Sequence, residues 1–379
     1  MIDIAKLKQD FADRFGRDPR IFRAPARVNM IGEHTDYNDG FVMPFAIEMA
    51  VYVAASPRDD DRITVNSMAF SESLDVSLAD LGKEVPNGWT RYPFGVISLM
   101  LRAGHQPRGA DLLIGSDIPS GAGLSSSAAL EVGIAKALDS LFELKLSDIE
   151  IVKIGQRTEN EFAGVNSGIM DQMASVLGRS GHALFLDCRS LEWQHVPLEG
   201  ASFLVCDTRT KHTLAESEYN NRRSECEAAV VELGISSLRD ATLHEINGLS
   251  GGLAKRARHV VTENLRVEAA VDALRSGDLE AVGGVMNESH ISLRDDFEVS
   301  CRELDIMSAI CRSRPEILGS RMIGGGFGGC ALSIARADTD LAIATREIAA
   351  EYELKTAIEP AIFICKPEDG VSEIIGLTN

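Results

Sequence analysis

The chain has 379 residues, 45% of them hydrophobic and 25% charged, a globular composition too long for one ordinary core, so two domains are expected. Its 57 acidic against 38 basic residues leave a net charge of −19 at pH 7, which argues against nucleic acid or an anionic membrane as a partner. No apolar run reaches the roughly 20 residues that span a bilayer, no secretory pattern opens the chain, and seven scattered cysteines without a Cys-x-x-Cys pair argue against a disulfide framework or thiolate zinc site and predict a cytoplasmic protein.

Leu7–Phe15 has the spacing of a short amphipathic helix. Arg27–Gly40 is a turn-like run that packs an arginine, a histidine and several carboxylates between apolar segments. Glu48–Ala55 and Arg62–Asn66 read as strands around turn residues at Pro57–Asp61. Ala110–Ile114 is a strand that feeds a glycine-rich loop, and Ala128–Leu141 a helix whose Ala129, Gly133 and Ala137 permit close packing. Ser147–Phe162 is a helix with Ser147 as N-cap and Glu150 completing a capping box. His182–Leu186 and Phe203–Cys206 read as buried strands. Between them Leu191–Ala201, with Pro197 and Gly200, is the expected boundary between an N-terminal α+β domain, 1–195, and a C-terminal one, 196–379. Helices follow at Ser217–Leu233, Leu253–Ser276, Leu279–Leu293 and Ser300–Cys311. The close is strands Ser320–Ile323 and Gly329–Ile334, helix Asp338–Tyr352 and strand Ala361–Cys365. Strands and helices mix without regular alternation, which predicts an α+β fold.

Three segments carry chemistry. The first is Arg27–Gly40: charged groups that order together need a partner, and a ligand with many hydroxyls is a good one. The second is Pro119–Ala129, where Gly121 and Gly123 precede Ser125, Ser126 and Ser127. Such a loop between strand and helix brings backbone N–H groups and a helix N-terminus to a phosphate. It is equally a plain strand-to-helix turn. No lysine of the Gly-Lys-Ser/Thr type accompanies it, so it is not a Walker A loop. The third, Gly324–Cys330, is either a tight hairpin or a backbone surface pressed against a transferred phosphoryl group.

Single residues add to these. Asp171 is a candidate general base or a helix cap, Glu159 reads as a solvated face and Tyr219 as a half-buried packing tyrosine. Trp89 and Tyr92 stack on a base or anchor a core. His105, His182, His195, His212, His244, His259 and His290 have no metal-ligand spacing and read as structural or surface residues.

The order Arg27–Asp36, Pro119–Ala129, Gly324–Gly329 resembles the three motifs of the small-molecule kinases that include homoserine, mevalonate and phosphomevalonate kinases. Within that superfamily, Arg27–Tyr37 closely resembles the segment of the galactokinase family. The resemblance covers nearly the whole chain. It implies a two-domain kinase fold with the active site in the cleft, and ATP-dependent phosphorylation of the anomeric hydroxyl of galactose. It further implies that Asp171 and Arg27 are catalytic and that Glu33, His34, Thr35, Asp36, Gly168 and Tyr219 bind sugar. Gly121, Ala122, Gly123, Leu124, Ser125, Ser126 and Ser127 would hold the nucleotide phosphates, with Ser67, Trp89 and Tyr92 near the base. Ser127 and Glu159 match ligands of Mg2+. Ala26 and Ser120 depart from the family, which commonly has glycine and an apolar residue there. Related kinases of N-acetylgalactosamine, galacturonate or arabinose, and a sugar- and ATP-sensing regulator without turnover, are the alternatives. Glu33 favours a neutral sugar, and Asp171, Arg27 and Ser127-Ala128 favour turnover. No amphipathic stripe is left over, so a monomer is expected.

Overall fold

The computed structural model describes residues 2–81, 85–119, 121–211 and 215–375; Ser120 and His212 lie outside them. In chain order the elements are α1 (Ile4–Phe15), β1 (Arg20–Asn29), β2 (Phe41–Val42), β3 (Pro44–Pro57), β4 (Arg62–Ser67), β5 (Leu74–Ser77), α2 (Arg91–Arg102), β6 (Ala110–Ser116), α3 (Ser126–Phe142), α4 (Asp148–Thr158) and α5 (Met170–Leu177). There follow β7 (His182–Asp187), β8 (Trp193–Pro197), β9 (Ala201–Lys211), α6 (Ala215–Leu233), α7 (Gly251–Ser276), α8 (Leu279–Asp295), α9 (Arg302–Arg312), β10 (Ile317–Met322), β11 (Gly328–Arg336), α10 (Leu341–Thr356), β12 (Ala361–Cys365) and β13 (Ser372–Glu373).

Six strands form one sheet in the order β13-β1-β3-β6-β4-β5, antiparallel except for the β4–β6 pair. Its two faces follow the alternation of strand side chains. Ile21, Ala50, Tyr52, Ala54 and Leu113 face Leu7 and Phe11 of α1. Phe22, Val51, Val53, Ala55 and Leu112 face the main core, where α3 and α5 pack on β1 and β3, and α2 and α4 pack on α3. Gly133 of α3 permits this approach: a Cβ there would sit 3.1 Å from Ala24 Cβ. The capping box at Ser147 and Glu150 forms and starts α4.

A second sheet, β10-β11-β9-β12, carries α8 and α9 on β10. A small third sheet has the order β2-β7-β8. Within Leu191–Ala201, the expected boundary stretch, β8 pairs antiparallel with β7 from Leu186–Trp193 to His182–Pro197. Pro197 ends that strand, where a missing N–H disrupts no interior ladder. Arg27–Asn29 is likewise the end of β1 and not a turn; the register with β3 slips between Pro25 and Arg27, a bulge of the kind that re-aims side chains.

Candidate active site

The second sheet's hairpin meets the loop before α3. The five residues between β10 and β11 turn on Gly324 (φ 78°) and Gly326 (φ 82°). A Cβ on Gly326 would overlap Val299 O, so the turn admits no side chain there. A Cβ on Gly324 would sit 3.1 Å from Gly123 O, and one on Gly329 3.2 Å from Ala122 O. The two glycine loops therefore touch backbone to backbone. Each loop is a turn, and each lines the same cavity of about 600 Å³.

That cavity brings together Arg27, Glu33, His34, Asp36, Gly121 to Ser127, Glu159, Gly168, Asp171 and Tyr219. Asp171 is in the first turn of α5, whose cap is Ile169, so it is not a cap. Arg27 Nε and Nη2 donate to its two carboxylate oxygens at 2.7 Å each, a bidentate pair. Arg27 Nη1 donates to Gly123 O at 2.9 Å. Ser125, in the left-handed region at φ 59°, donates its hydroxyl to Asp171 Oδ2 rather than capping α3. Asp171 keeps 21% of its side chain exposed against 5% for Arg27, so the carboxylate is what a ligand meets. Burial disfavours the Arg27 charge, but the Asp171 carboxylate and its hydrogen bonds, with Glu33 and Asp36 behind, raise its pKa on balance.

The charged run lines the opposite wall. Glu33 Oε2 accepts from Arg321 Nη2 at 2.9 Å, and both are fully buried. Burial raises the Glu33 pKa against the pull of Arg321 and Arg27. Asp36 has no such cation in contact. Burial, then the Asp171 and Glu33 charges, push it up to about 7. A Cβ on Gly168 would overlap Asp36 Oδ2, so only glycine fits beside it. His34 Nδ1 pairs with Tyr37 Oη at 2.8 Å, leaving Nε2 buried without a partner. Burial and the neighbouring His259 lower its pKa to about 3, so its ring is neutral at pH 7. The Tyr219 ring lies 5.4 Å from the His34 ring.

On the phosphate-loop side, Ser127 Oγ donates to Glu159 Oε1 at 2.6 Å and Ser167 Oγ to Oε2 at 2.5 Å. Burial, then the Asp171 charge, raise the Glu159 pKa on balance against the hydrogen bonds from Ser127, Ser167 and Gln172, and among the described residues no cation pairs with it. A buried carboxylate and a hydroxyl with no positive neighbour form an all-oxygen set that fits a hard cation. The described residues contain no cluster of three or more His, Cys, Asp or Glu that could hold a metal, so Mg2+ there would take its other ligands from phosphate oxygens and water.

Four expected site residues stand outside this cavity. Thr35 is buried and spends its hydroxyl on Gly32 O and Phe41 O, at 2.9 and 2.7 Å; it ties the charged loop together. Ser67 accepts from Ala69 N and Phe70 N, capping a turn, and lines a separate depression with Lys6 and Arg14. Trp89 donates to Glu72 O and stacks on Phe70. Tyr92 is half-buried on α2 beneath the Arg91 guanidinium. Residues not anticipated are Arg321, whose partner Glu33 is 288 positions away, and Ser167 on Glu159. The only signal for Arg321 was an arginine inside an otherwise apolar strand pattern.

Comparison with known proteins agrees with this arrangement. The chain matches the galactokinase galactose-binding signature over residues 9–57, the GHMP kinases N terminal domain over 91–179 and the GHMP kinases C terminal domain over 270–354. It is 42% identical to a galactokinase of Roseiflexus sp. (strain RS-1), over 99% of this chain and 98% of that protein. It is 44% identical to a galactokinase of Chloroflexus aurantiacus, over 98% of each. The crystal structure of Lactococcus lactis galactokinase complexed with galactose superposes with a TM-score of 0.94 at 35% identity, over 98% of this chain and 100% of that one. The mevalonate kinase of Methanococcus jannaschii shares the fold, with a TM-score of 0.69 at 20% identity over 93% of this chain and 99% of that one. With the charged loop, the serine-bearing phosphate loop and the second glycine loop lining one cavity, and with full-length identity above 40%, the chain belongs to the galactokinase family of GHMP kinases.

Proposed function

We propose that the chain transfers the γ-phosphoryl group of ATP to the C1 hydroxyl of galactose, giving galactose 1-phosphate and ADP. The observation that carries this is Asp171: a carboxylate gripped by Arg27 and Ser125, facing a cavity between a wall of polyol-binding groups and a glycine-serine loop. Phosphoryl transfer needs positioning and charge neutralisation more than covalent help.

Glu33, His34, Asp36 and Tyr219 bind the sugar. A hydroxyl of the wrong configuration would leave their buried polar atoms unpaired, which penalises other sugars. Asp171 accepts the proton of the C1 hydroxyl. Arg27 and Ser125 hold both of its oxygens, so only a remaining lone pair faces the sugar, and orientation is a large part of its contribution. The Arg27 charge stabilises negative charge on the transferring group. The N–H groups of residues 121–127 and the start of α3 receive the nucleotide phosphates. Ser127 and Glu159 would hold Mg2+, which when bound neutralises phosphate charge and fixes the phosphate oxygens.

The reading extends to the molecule's setting. We take residues 1–195 and 196–379 as its two domains, with β13 returning to the first sheet. We infer a cytoplasmic enzyme from its seven free cysteines. Among the described residues no helix is long and apolar enough to cross a membrane. A monomer fits the exposed apolar side chains, which are scattered over different elements, as at Val231 on α6, Leu265 on α7, Leu354 on α10 and Ile364 on β12.

The test is ADP release by the purified protein with Mg-ATP and galactose, glucose, N-acetylgalactosamine or galacturonate. Turnover with galactose, abolished by EDTA, is expected. Turnover confined to another sugar would reassign the pocket, and none with any sugar would overturn the reading.

A further inference from the structure

We propose that Glu263 and His259, on one face of α7, are positioning residues for the sugar: they hold the backbone of Gly32–His34 so that Glu33 and His34 aim into the cavity. The inference rests on the galactose reading above, and neither residue touches the cavity itself.

The segment needs such help. Gly32 to Thr35 belongs to no helix or strand, and every residue in it is buried, so its backbone groups must find partners elsewhere. Its backbone is also unusual. Gly32 has φ 90°, where a Cβ would overlap Phe41 O. His34 has φ 62°, a region that a bulky residue occupies only when its surroundings impose it.

The surroundings come from far along the chain. Glu263 Oε1 accepts from Gly32 N at 3.0 Å and from Glu33 N at 3.3 Å. One helical turn earlier on the same face, His259 Nε2 donates to Glu33 O at 3.0 Å. Asn264 Oδ1 accepts from Phe41 N at 2.8 Å, beyond the charged run. α7 thus reads out the peptide groups on both sides of the sugar-binding side chains.

Each of the two residues is itself held. Ser289 Oγ on α8 donates to Glu263 Oε1 at 2.7 Å, and Arg266 Nε donates to Oε2 at 2.8 Å. Ser292 Oγ lies 2.9 Å from His259 Nδ1, so the ring that donates through Nε2 accepts from this hydroxyl. Glu263 and His259 are fully buried. Arg266, His259 and Arg321 overcome the burial penalty and hold the Glu263 carboxyl at about 2. An ionised carboxylate receiving three donors on one oxygen is a strong, directional anchor. Arg321 adds the last link, donating to Asn29 O at 2.8 Å as well as to the Glu33 carboxylate. Both the main chain and the side chain of Glu33 are therefore fixed by residues more than 200 positions away.

The experiment measures galactose KM, ATP KM and kcat for the full-length wild type and Glu263→Gln, together with the rise in Tm on adding galactose. The isosteric amide keeps the volume but weakens the acceptor and brings its own N–H groups against donors. Galactose KM should rise about tenfold and the galactose-induced rise in Tm should shrink. ATP KM and kcat should stay within about threefold. Should Glu263→Gln not fold, Ser289→Ala removes only the hydroxyl on the carboxylate, and galactose KM should rise about threefold. A folded variant with unchanged galactose KM, or with both KM values rising together, would overturn the proposal. A wild type inactive on galactose would overturn the reading on which it rests, and the proposal with it.

Discussion

Asp36→Asn should make the empty protein more stable and a worse sugar binder. Asp36 faces Asp171 and Glu33 with no cation in contact, and its pKa is pushed from the ordinary 3.8 up to about 7. A carboxyl with a raised pKa costs nothing below its unfolded value. Its contribution to stability is lost as pH rises through the window from 3.8 to about 7. Three units at about 1.4 kcal/mol each give roughly 4 kcal/mol at pH 8, and cavity water screens part of that, leaving about 2 to 4 kcal/mol. Asparagine has the same shape and cannot ionise, so it should recover this amount. Urea unfolding of the ligand-free protein measures it: the gain should be largest at pH 8, about two fifths as large at pH 5, and near zero well below pH 4. Calorimetry should show galactose binding at least about tenfold weaker, because the charged acceptor is gone. If the asparagine variant unfolds more easily than wild type at pH 8, or its gain does not vary with pH, the account of Asp36 as an uncompensated charge is wrong.

Asp171→Asn should lower kcat about a hundredfold or more while galactose KM stays within a few-fold; near-normal turnover would remove Asp171 from the proton step. Ser127→Ala should raise the Mg2+ concentration for half-maximal activity and leave calorimetric galactose binding intact, and lost sugar binding would place the serine elsewhere. Gly168→Ala sets a methyl against the Asp36 carboxylate and should raise galactose KM at least about tenfold with a stability cost of about 1 to 3 kcal/mol. An unchanged KM would mean that Asp36 has room to turn.

What could be read in advance differed between elements for physical reasons. α7 was legible to within two residues, because its caps and helical period agree. β1 was not seen as a strand. Arg20, Arg23, Pro25 and Arg27 interrupt its alternation, and in the fold two of those arginines reach across to the neighbouring strands, Arg23 to Ile47 O and Glu48 O on β3 and Arg20 to Glu373 on β13. α2 was obscured by Pro93, which sits in its first turn, where a missing N–H costs little. In the site, residues adjacent in sequence were visible as a cluster, while anything held by a distant partner was not. Nothing local distinguishes Glu263 from a surface charge, and little more than a strand setting distinguishes Arg321, yet both are fully buried. Thr35 shares the charged loop, and its hydroxyl is spent on the backbone at Gly32 O and Phe41 O. Only Ser67 came from resemblance alone; here Ser67 and Trp89 are hydrogen-bonded locally, and Tyr92 lies beneath the Arg91 guanidinium.

The strand that carries Arg27 has β3 on one side and, on the other, among the described residues, the two residues of β13, paired Phe22 with Glu373 and Arg23 with Ser372. Arg20 clamps Glu373 through both carboxylate oxygens across 353 positions of chain. During synthesis, then, β1 is made well before the strand that covers its edge and waits with that edge bare until the intervening elements have been made. An open edge of this kind invites pairing with another nascent chain. The arginines that hid this strand from view also guard it in that interval, since charged side chains along an edge discourage such pairing. Trimming the chain before Ser372 should leave much of the cavity's wall in place and show itself first as aggregation during expression.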